Sequence, residues 1–184
     1  MAGKNLQTAT VGGGCFWCTE AVFEAVAGVE NVVSGYTAGD APGRPTYREV
    51  CSGLSGFAEV VKVTFDANVI SYEDILIIFM TTHDPTSLNK QGADRGTQYR
   101  SVIYYHNEKQ KEIAEAVFEG LKPYYDKPIV TELSKSEIFY EAEKEHQDFY
   151  KNNPNFGYCS FVIDPKLAKL RKLHSDKLKN GQVH

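Results

Sequence analysis

Near its amino terminus the chain reads Ala9-Thr10-Val11-Gly12-Gly13-Gly14-Cys15-Phe16-Trp17-Cys18. The first three of these residues predict a short strand, and apolar residues at helical spacing predict a helix over Cys15–Ala27 that Gly28 ends. The three glycines between them permit a tight turn that another molecule can approach closely. The fold therefore begins with a strand, a glycine turn and a helix, and a cysteine lies at the junction.

Further along the chain, strands and helices alternate, except that two strands follow each other directly. The residue patterns predict strands at Val29–Tyr36, Ala58–Phe65, Arg100–His106 and Ile129–Leu133, and helices from Ser71, over Glu108–Leu121, around Glu141–Lys151 and from Asp164. This order favours an α/β sandwich with a mixed sheet over a purely parallel doubly wound sheet.

The length of 184 residues suits one domain over 1–184, with flexible tails expected at 1–7 and 175–184. Twenty Lys and Arg against 24 Asp and Glu give a net charge of −4, which disfavours a nucleic-acid partner. The sequence contains no apolar run near the roughly 20 residues that span a bilayer, and its start lacks a secretory signal. We expect a cytoplasmic protein without a membrane partner.

The four cysteines are Cys15, Cys18, Cys51 and Cys159, too few for a disulfide scaffold in a chain of this length. At the first turn of a helix, Cys15 faces unpaired N–H groups that favour an anion, so we expect its thiol to ionise easily and act as a nucleophile. The alternative is a core cysteine buried under the helix.

Cys15 and Cys18 also form a C-x-x-C pair, which can be a redox dithiol, half of a zinc site or chance. Because Cys51 and Cys159 stand alone and no matching histidine pair follows, we expect no structural zinc. Phe16 and Trp17 lie between the two cysteines and either belong to the core or form the wall of an apolar pocket.

Glu59 shares one face of its predicted strand with Val61, Val63 and Phe65. If that face is buried, desolvation raises the pKa of the carboxyl and makes it a proton donor at neutral pH. Alternatively, Glu59 lies at the strand edge and reaches water or a lysine.

Two polar stretches complete the set of candidate residues. Asp94 and Tyr99, like Tyr47, lie where they can offer hydrogen bonds near a sheet end. Cys159 follows Asn153-Pro154-Asn155-Phe156-Gly157-Tyr158, whose composition predicts irregular and mobile backbone. Such mobility suits a second thiol that must travel.

The segment Gly14-Cys15-Phe16-Trp17-Cys18-Thr19-Glu20 resembles the peptide methionine sulfoxide reductases of the A type. The resemblance continues, in the family's order and over nearly the whole chain, through Val33–Tyr36, Pro45–Tyr47, Ala58–Val60, His83–Thr86, Gly96–Ser101, Asn153–Asn155 and Gly157–Cys159. Two positions depart from the family pattern, where Phe57 replaces a common histidine and Ala93 replaces a common asparagine.

The resemblance implies a two-layer α/β sandwich with a mixed sheet and a ferredoxin-like core, and it assigns roles to residues. Cys15 is implied to be the nucleophile, and Phe16 and Trp17 to hold the substrate methyl group. The residues implied to surround the sulfoxide oxygen are Glu59, Tyr47 and Tyr99, with Asp94 arranging that site.

The implied reaction reduces the S epimer of methionine sulfoxide, free or in oxidised proteins. Cys15 becomes a sulfenic acid, and a second thiol condenses with it to a disulfide. The resemblance favours Cys159 as this resolving cysteine, with Cys18 as the alternative and Cys51 as structural. Thioredoxin is the expected external reductant, so no bound cofactor or metal is needed. We expect a monomer.

Three other functions are compatible with parts of the sequence. A thioredoxin-like disulfide oxidoreductase would use Cys15 and Cys18, and a Cys/His acyl hydrolase would use His83 or His146. A non-catalytic module that binds oxidised methionine would keep the aromatic pocket without needing Glu59 and a mobile thiol together.

Overall fold

In this computed structural model, which describes residues 3–179, every segment that the sequence patterns predict as a strand overlaps an observed strand, although the strand predicted at Ile129–Leu133 begins only at Glu132. They are β1 (Leu6–Gly12), β2 (Val29–Thr37), β3 (Ala58–Asp66), β4 (Lys90–Gln91), β5 (Asp94–Arg95), β6 (Val102–Tyr105), β7 (Glu132–Lys135) and β8 (Phe139–Glu141). The β4–β5 hairpin and β8 are additions to the predicted set.

The helices are α1 (Phe16–Glu24), α2 (Tyr47–Cys51), α3 (Tyr72–Thr82), α4 (Glu108–Leu121), α5 (Phe149–Asn152) and α6 (Asp164–His174). Short 3₁₀ turns occur at Thr97–Tyr99, Lys122–Tyr124, Lys144–His146 and Ser175–Lys177, and a π turn at Cys159–Ile163 runs into α6. The predicted cap of α3 is confirmed, because the Ser71 hydroxyl accepts the Asp74 N–H at 3.0 Å.

Six strands form the main sheet in the order β7-β6-β1-β3-β2-β8. Only the β6–β7 pair of this sheet is parallel, so the predicted mixed α/β fold is confirmed. On one face Val11, Val61 and Phe65 join helical residues in the main core, and on the other Val60 and Tyr104 belong to a smaller cluster. Burial of these apolar side chains supplies the main stabilisation of the sheet.

The predicted helix at Glu141–Lys151 is confirmed only in its last turn. Over this range the chain forms the end of β8, a 3₁₀ turn and the four-residue α5, with Asp148 in a left-handed conformation (φ 53°) between them. Strand β8 pairs with β2 through Tyr36 and Tyr140 and through Gly35 and Glu141, so strand pairing replaces the start of the predicted helix.

Regular structure extends into both expected tails. Strand β1 begins at Leu6, and Leu178 is buried and bridges to Val26. Residues 1, 2 and 180–184, which belong to the same expectation, lie outside the described residues. Between residues 3 and 179, no helix is both long and apolar enough to span a membrane.

Candidate active site

The glycine turn places Cys15 immediately before α1. Gly13 packs so closely that an added Cβ would lie 2.7 Å from the His83 ring, and Gly14 has φ +102°, which L side chains rarely adopt. Cys15 is the N-cap residue, with extended backbone, and its sulfur accepts a hydrogen bond from the Trp17 N–H. The strand-turn-helix prediction for this cysteine is therefore confirmed.

The expected easy ionisation of Cys15 is not supported by its environment. Burial raises the pKa of the Cys15 thiol well above its usual range, and its hydrogen bond to Cys18 and the nearby Glu59 act in the same direction. The Phe16 N–H, which could have stabilised a thiolate, instead donates to the Glu59 carboxyl. Desolvation therefore outweighs the single backbone donor left for the sulfur.

Cys18 has the opposite electrostatic environment. The hydrogen bond from Cys15 lowers the pKa of Cys18, although its own burial opposes this shift, and the positive charge of Lys166 lowers the pKa further. The Tyr158 hydroxyl also lies 3.4 Å from the Cys18 sulfur. In this sulfur pair the proton stays on Cys15, and Cys18 is the thiol that ionises first.

Glu59 lies on β3 and is only 1 % exposed, which confirms burial and excludes the edge position. Its Oε1 accepts the Phe16 N–H at 3.1 Å, and its Oε2 has no hydrogen-bond partner among residues 3–179. Burial raises the pKa of Glu59 to about 8, assisted by the nearby Asp94 and Cys18. The carboxyl is therefore protonated at neutral pH and can donate a proton.

Tyr47 and Tyr99 converge on the same space from α2 and from the turn before β6. Burial raises the pKa of both hydroxyls, and Glu59 and Cys15 are among the groups whose charges add to each shift. Both tyrosines are therefore neutral hydrogen-bond donors at physiological pH.

Cys51 also interacts with Tyr47 and Tyr99, and the sequence analysis did not predict this. Burial raises the pKa of its thiol, although hydrogen bonds from Tyr47 and Tyr99 act to lower it. The missed signal is the spacing of Tyr47 and Cys51, which lie four residues apart on α2 and thus on one helix face.

Aromatic side chains form the apolar part of the site. Phe16 is fully buried, and its ring lies 6.1 Å from that of Tyr47. Trp17 is partly exposed, stacks on Phe149 at 3.7 Å between ring centroids and donates its indole N–H to His146 at 3.2 Å. Phe16 therefore belongs to the core, whereas Trp17 lies partly at the surface.

Asp94 lies in the β4–β5 hairpin and accepts the Tyr158 hydroxyl at 2.5 Å. With Cys15, Cys18 and Lys166, both residues line a cavity of about 130 Å³ beside the glycine turn. Asp94 is therefore near Cys15 but is directed at Tyr158. Ala93 also lines this cavity, whereas Phe57 is buried near Tyr140, in the main core.

The predicted irregular backbone before Cys159 is confirmed at residues 153–156, but it does not extend to Cys159 itself. The chain is helical from Gly157, Cys159 starts the π turn before α6, and its N–H donates to the Phe156 carbonyl at 2.9 Å. Cys159 is 1 % exposed and packs in the main core with Ile163, one turn further on. Apolar spacing that continues into α6 accounts for the helical conformation, despite the preceding Asn and Pro.

The histidines of the acyl-hydrolase alternative are engaged elsewhere. His83 Nδ1 lies 2.6 Å from the Phe79 carbonyl and Nε2 lies 2.7 Å from the Ser101 hydroxyl. Burial lowers the pKa of His83 to about 3. His146 accepts from Trp17, so neither ring is placed as a base for Cys15.

Carboxylate and histidine side chains lie close to one another at two places among the described residues. Glu143, Glu145 and His146 form one group, and Glu20, Glu24 and Asp148 form the other. Glu143 is already bonded to the Tyr36 hydroxyl and the Tyr47 N–H. All four cysteines lie within the described residues as free thiols.

Comparison with known proteins links this geometry to a family. Residues 7–178 match the family model described as peptide methionine sulfoxide reductase. The peptide methionine sulfoxide reductase MsrA of Saccharolobus solfataricus is 53 % identical over 174 residues, covering 95 % of this chain and 98 % of the relative.

Solved structures give the same picture. Reduced Mxr1 from Saccharomyces cerevisiae superposes with a TM-score of 0.74 at 34 % identity, covering 82 % of this chain and 87 % of that one. Mxr1 in complex with Trx2 superposes with a TM-score of 0.53 at 22 % identity, covering 81 % and 90 %.

Proposed function

This chain belongs to the peptide methionine sulfoxide reductase family of the A type, and we propose that Cys15 and Glu59 carry out its reaction. As a member of this family it is an enzyme that reduces methionine sulfoxide to methionine and repairs oxidised proteins. The observation that carries the residue assignment is a buried carboxyl, protonated at neutral pH, whose Oε1 binds the N–H of the residue after Cys15.

The sulfoxide sulfur is a poor electrophile until its oxygen is protonated or strongly hydrogen-bonded. In our proposal Glu59 gives its proton to that oxygen, and Tyr47 and Tyr99 donate hydrogen bonds to it. The Cys15 thiolate attacks the substrate sulfur and forms an S–S bond, while the S–O bond breaks and the oxygen leaves with the Glu59 proton as hydroxide. The hydroxide then adds to the Cys15 sulfur and the S–S bond breaks, so that methionine leaves with the electron pair and Cys15 carries the oxygen as a sulfenic acid.

Cys15 must lose its own proton as it attacks. Cys18 accepts the Cys15 hydrogen bond, and its lowered pKa favours the ionised form, so it can receive this proton once bond formation to the substrate makes the Cys15 sulfur more acidic. Phe16 and Trp17 contact the methyl group, and Asp94 orients the polar side of the site through Tyr158. Preference for the S epimer remains part of the proposal.

A second thiol then attacks the Cys15 sulfenic acid, forming a disulfide and releasing water. We assign this step to Cys159, which must leave its buried position and so requires the π turn to unwind. Cys18 is the second candidate, because it lies one helical turn from Cys15 in the C-x-x-C pair and the two thiols interact.

A dithiol reductant returns the enzyme to its starting state by exchange with the disulfide. We propose thioredoxin for this role; the yeast relative Mxr1 was crystallised in complex with Trx2. No bound cofactor or metal takes part in the proposed steps. The cytoplasmic location, the monomeric state and the absence of nucleic-acid and membrane partners stay predictions.

The assignment is tested by reducing separated epimers of a methionine-sulfoxide peptide, with and without thioredoxin. We expect turnover of the S epimer, and mass spectrometry after one turnover without thioredoxin should find a Cys15–Cys159 disulfide. A Cys15–Cys18 disulfide that persists in Cys159→Ser, at an unchanged turnover with thioredoxin, would make Cys18 the resolver. Turnover of the R epimer alone would refute the stereochemical proposal.

The thioredoxin-like alternative makes a separate prediction. A C-x-x-C oxidoreductase attacks with a first cysteine of lowered pKa, whereas here the pKa is raised at Cys15 and lowered at Cys18. We therefore expect no efficient reduction of insulin disulfides by the reduced enzyme.

A further inference from the structure

His146 is a buried residue at the end of the 3₁₀ turn Lys144–His146. Its Nδ1 lies 3.2 Å from Nε1 of Trp17, and its ring stacks on Tyr47 with centroids 4.0 Å apart and planes at 26°. An indole nitrogen is only a donor, so Nδ1 must be the unprotonated nitrogen of a neutral imidazole. The contact therefore defines both the tautomer and the charge of His146.

The segment around His146 packs against the aromatic residues of the proposed site and makes hydrogen bonds to them. Glu143 accepts the Tyr47 N–H at 2.8 Å with one oxygen and the Tyr36 hydroxyl at 2.8 Å with the other. Phe149 covers one face of Trp17 at 3.7 Å. The indole N–H of Trp17 is the polar atom of that ring, and its acceptor is His146.

We propose that His146 is a positioning residue that fixes the plane of Trp17 for substrate binding, and that it does so only as the neutral imidazole. The proposal rests on the role proposed above for Trp17 as a wall of the methyl pocket. Protonation puts a hydrogen on Nδ1, facing the indole N–H, and two donors cannot bond to each other. The indole N–H then loses its hydrogen-bond acceptor, the plane of Trp17 is no longer fixed, and the affinity for substrate falls.

The groups around His146 determine the pH at which its imidazole becomes protonated. Helix α1 presents the uncharged rings of Phe16 and Trp17, and α2 presents Tyr47, which is neutral because burial raises its pKa. From its own segment, Glu143 and Glu145 favour the imidazolium, but burial outweighs them and lowers the pKa of His146 below 6.5. The transition is therefore expected at a lower pH than for an ordinary histidine.

Trp17 is the only tryptophan of the chain, so intrinsic fluorescence reports on this contact directly. In the native protein we expect an emission change on acidification with its midpoint below pH 6.5. His146→Asn places an amide oxygen near the position of Nδ1 but cannot titrate. It should abolish the emission change while keeping KM at neutral pH within about twofold of the native value.

His146→Phe keeps the stacking and removes the acceptor. Loss of one hydrogen bond should raise KM for a methionine-sulfoxide peptide about twofold to tenfold at pH 8, and lower kcat by less. The matched control is His174→Asn on α6, where the ring contacts Thr81 at 2.7 Å instead. This control should keep both the native KM and the native fluorescence transition.

Two results would overturn the proposal. One is an emission change that persists in folded His146→Asn, and the other is a native KM in folded His146→Phe. If His146→Phe fails to fold, the asparagine variant decides alone. Because the fluorescence experiment needs no turnover, a protein that does not reduce methionine sulfoxide would refute the proposed function while this contact is still tested.

Discussion

Glu59 is the residue whose burial has the clearest catalytic consequence. With a pKa of about 8, its carboxyl holds the required proton up to that pH and loses it above. We expect the single-turnover rate of sulfoxide reduction to fall about tenfold per pH unit above about 8. Glu59→Gln should lower the rate by about 10²- to 10⁴-fold and flatten this dependence, as measured by rapid-quench kinetics.

The matched control for this experiment is Glu20→Gln. Glu20 is also a buried carboxyl, and its pKa is raised to about 7, but it bonds to the Ser34 hydroxyl. Its replacement should keep the alkaline limb of the rate. A Glu59→Gln enzyme with the native rate over pH 6–9 would remove Glu59 from the role of acid.

The two sulfurs of the C-x-x-C pair make a second prediction at the scale of single residues. Because the Cys15 hydrogen bond and Lys166 lower the pKa of Cys18, the first thiolate formed on raising the pH belongs to Cys18. Thiolate absorbance near 240 nm that appears below pH 9 should be lost in Cys18→Ser and remain in Cys15→Ser.

Cys51→Ser is the control for this titration, because burial raises the pKa of Cys51. It should keep the early thiolate signal. The reverse pattern, with the signal lost in Cys15→Ser and kept in Cys18→Ser, would place the first anion on Cys15 and restore the expectation drawn from the helix terminus. A helix start visible in sequence does not reveal how deeply the sulfur is buried.

At the scale of elements, the glycine turn holds Cys15 only because its neighbours leave no room for side chains. A Cβ on Gly13 would lie 2.7 Å from the His83 ring and 2.9 Å from that of Phe79. Gly13→Ala should lower the free energy of unfolding by about 1–3 kcal/mol, since overpacking costs about that much. It should also lower the turnover rate, because the turn positions Cys15.

Gly120→Ala offers the opposite case. Gly120 lies within α4, and an added Cβ meets no atom of residues 3–179 within 4 Å. Replacing a helical glycine by alanine should raise the free energy of unfolding by about 0.5–1 kcal/mol. Urea unfolding of both variants checks the pair, and equal stabilities would contradict the packing argument.

Elements with strong local signals could be predicted from sequence, and elements defined by distant partners could not. Helix α3 has its Ser71 cap, and α4 spans its predicted range of Glu108–Leu121. Strand β8 forms because Tyr140 pairs with Tyr36 of β2, a partner about a hundred residues away. The sequence of residues 141–151 alone cannot show that this pairing occurs.

At the scale of the whole molecule, the site joins segments from both ends of the chain. The glycine turn and the alternation around Glu59 revealed two of its parts, because they depend on local spacing. The contacts of Trp17 with His146 and of Cys18 with Tyr158 connect residues separated by 129 and 140 positions. Only the folded sheet order brings them together, so one sequence could suggest these residues without giving their partners.

The buried carboxyls make the stability of the molecule depend on pH in a definite direction. The pKa is raised to about 8 for Glu59 and to about 7 for Glu20, chiefly by burial. In the unfolded chain both lose their protons near pH 4.5, so between pH 5 and 8 the folded state binds more protons. The free energy of unfolding must therefore fall as pH rises through this window, and level off above about 8.

Between pH 6.5 and 8.5 we expect a loss on the order of 1–3 kcal/mol, because one pKa unit corresponds to about 1.4 kcal/mol for each buried group. His83, whose pKa is lowered to about 3, changes stability mainly below pH 7 and in the opposite direction, so it does not account for a loss in this window. Urea unfolding at the two pH values measures the loss. Glu59→Gln should reduce it, whereas the exposed Glu112→Gln on α4 should leave it intact. Equal losses in all three proteins would mean that Glu59 is ionised in the folded state, and its role as proton donor would be lost.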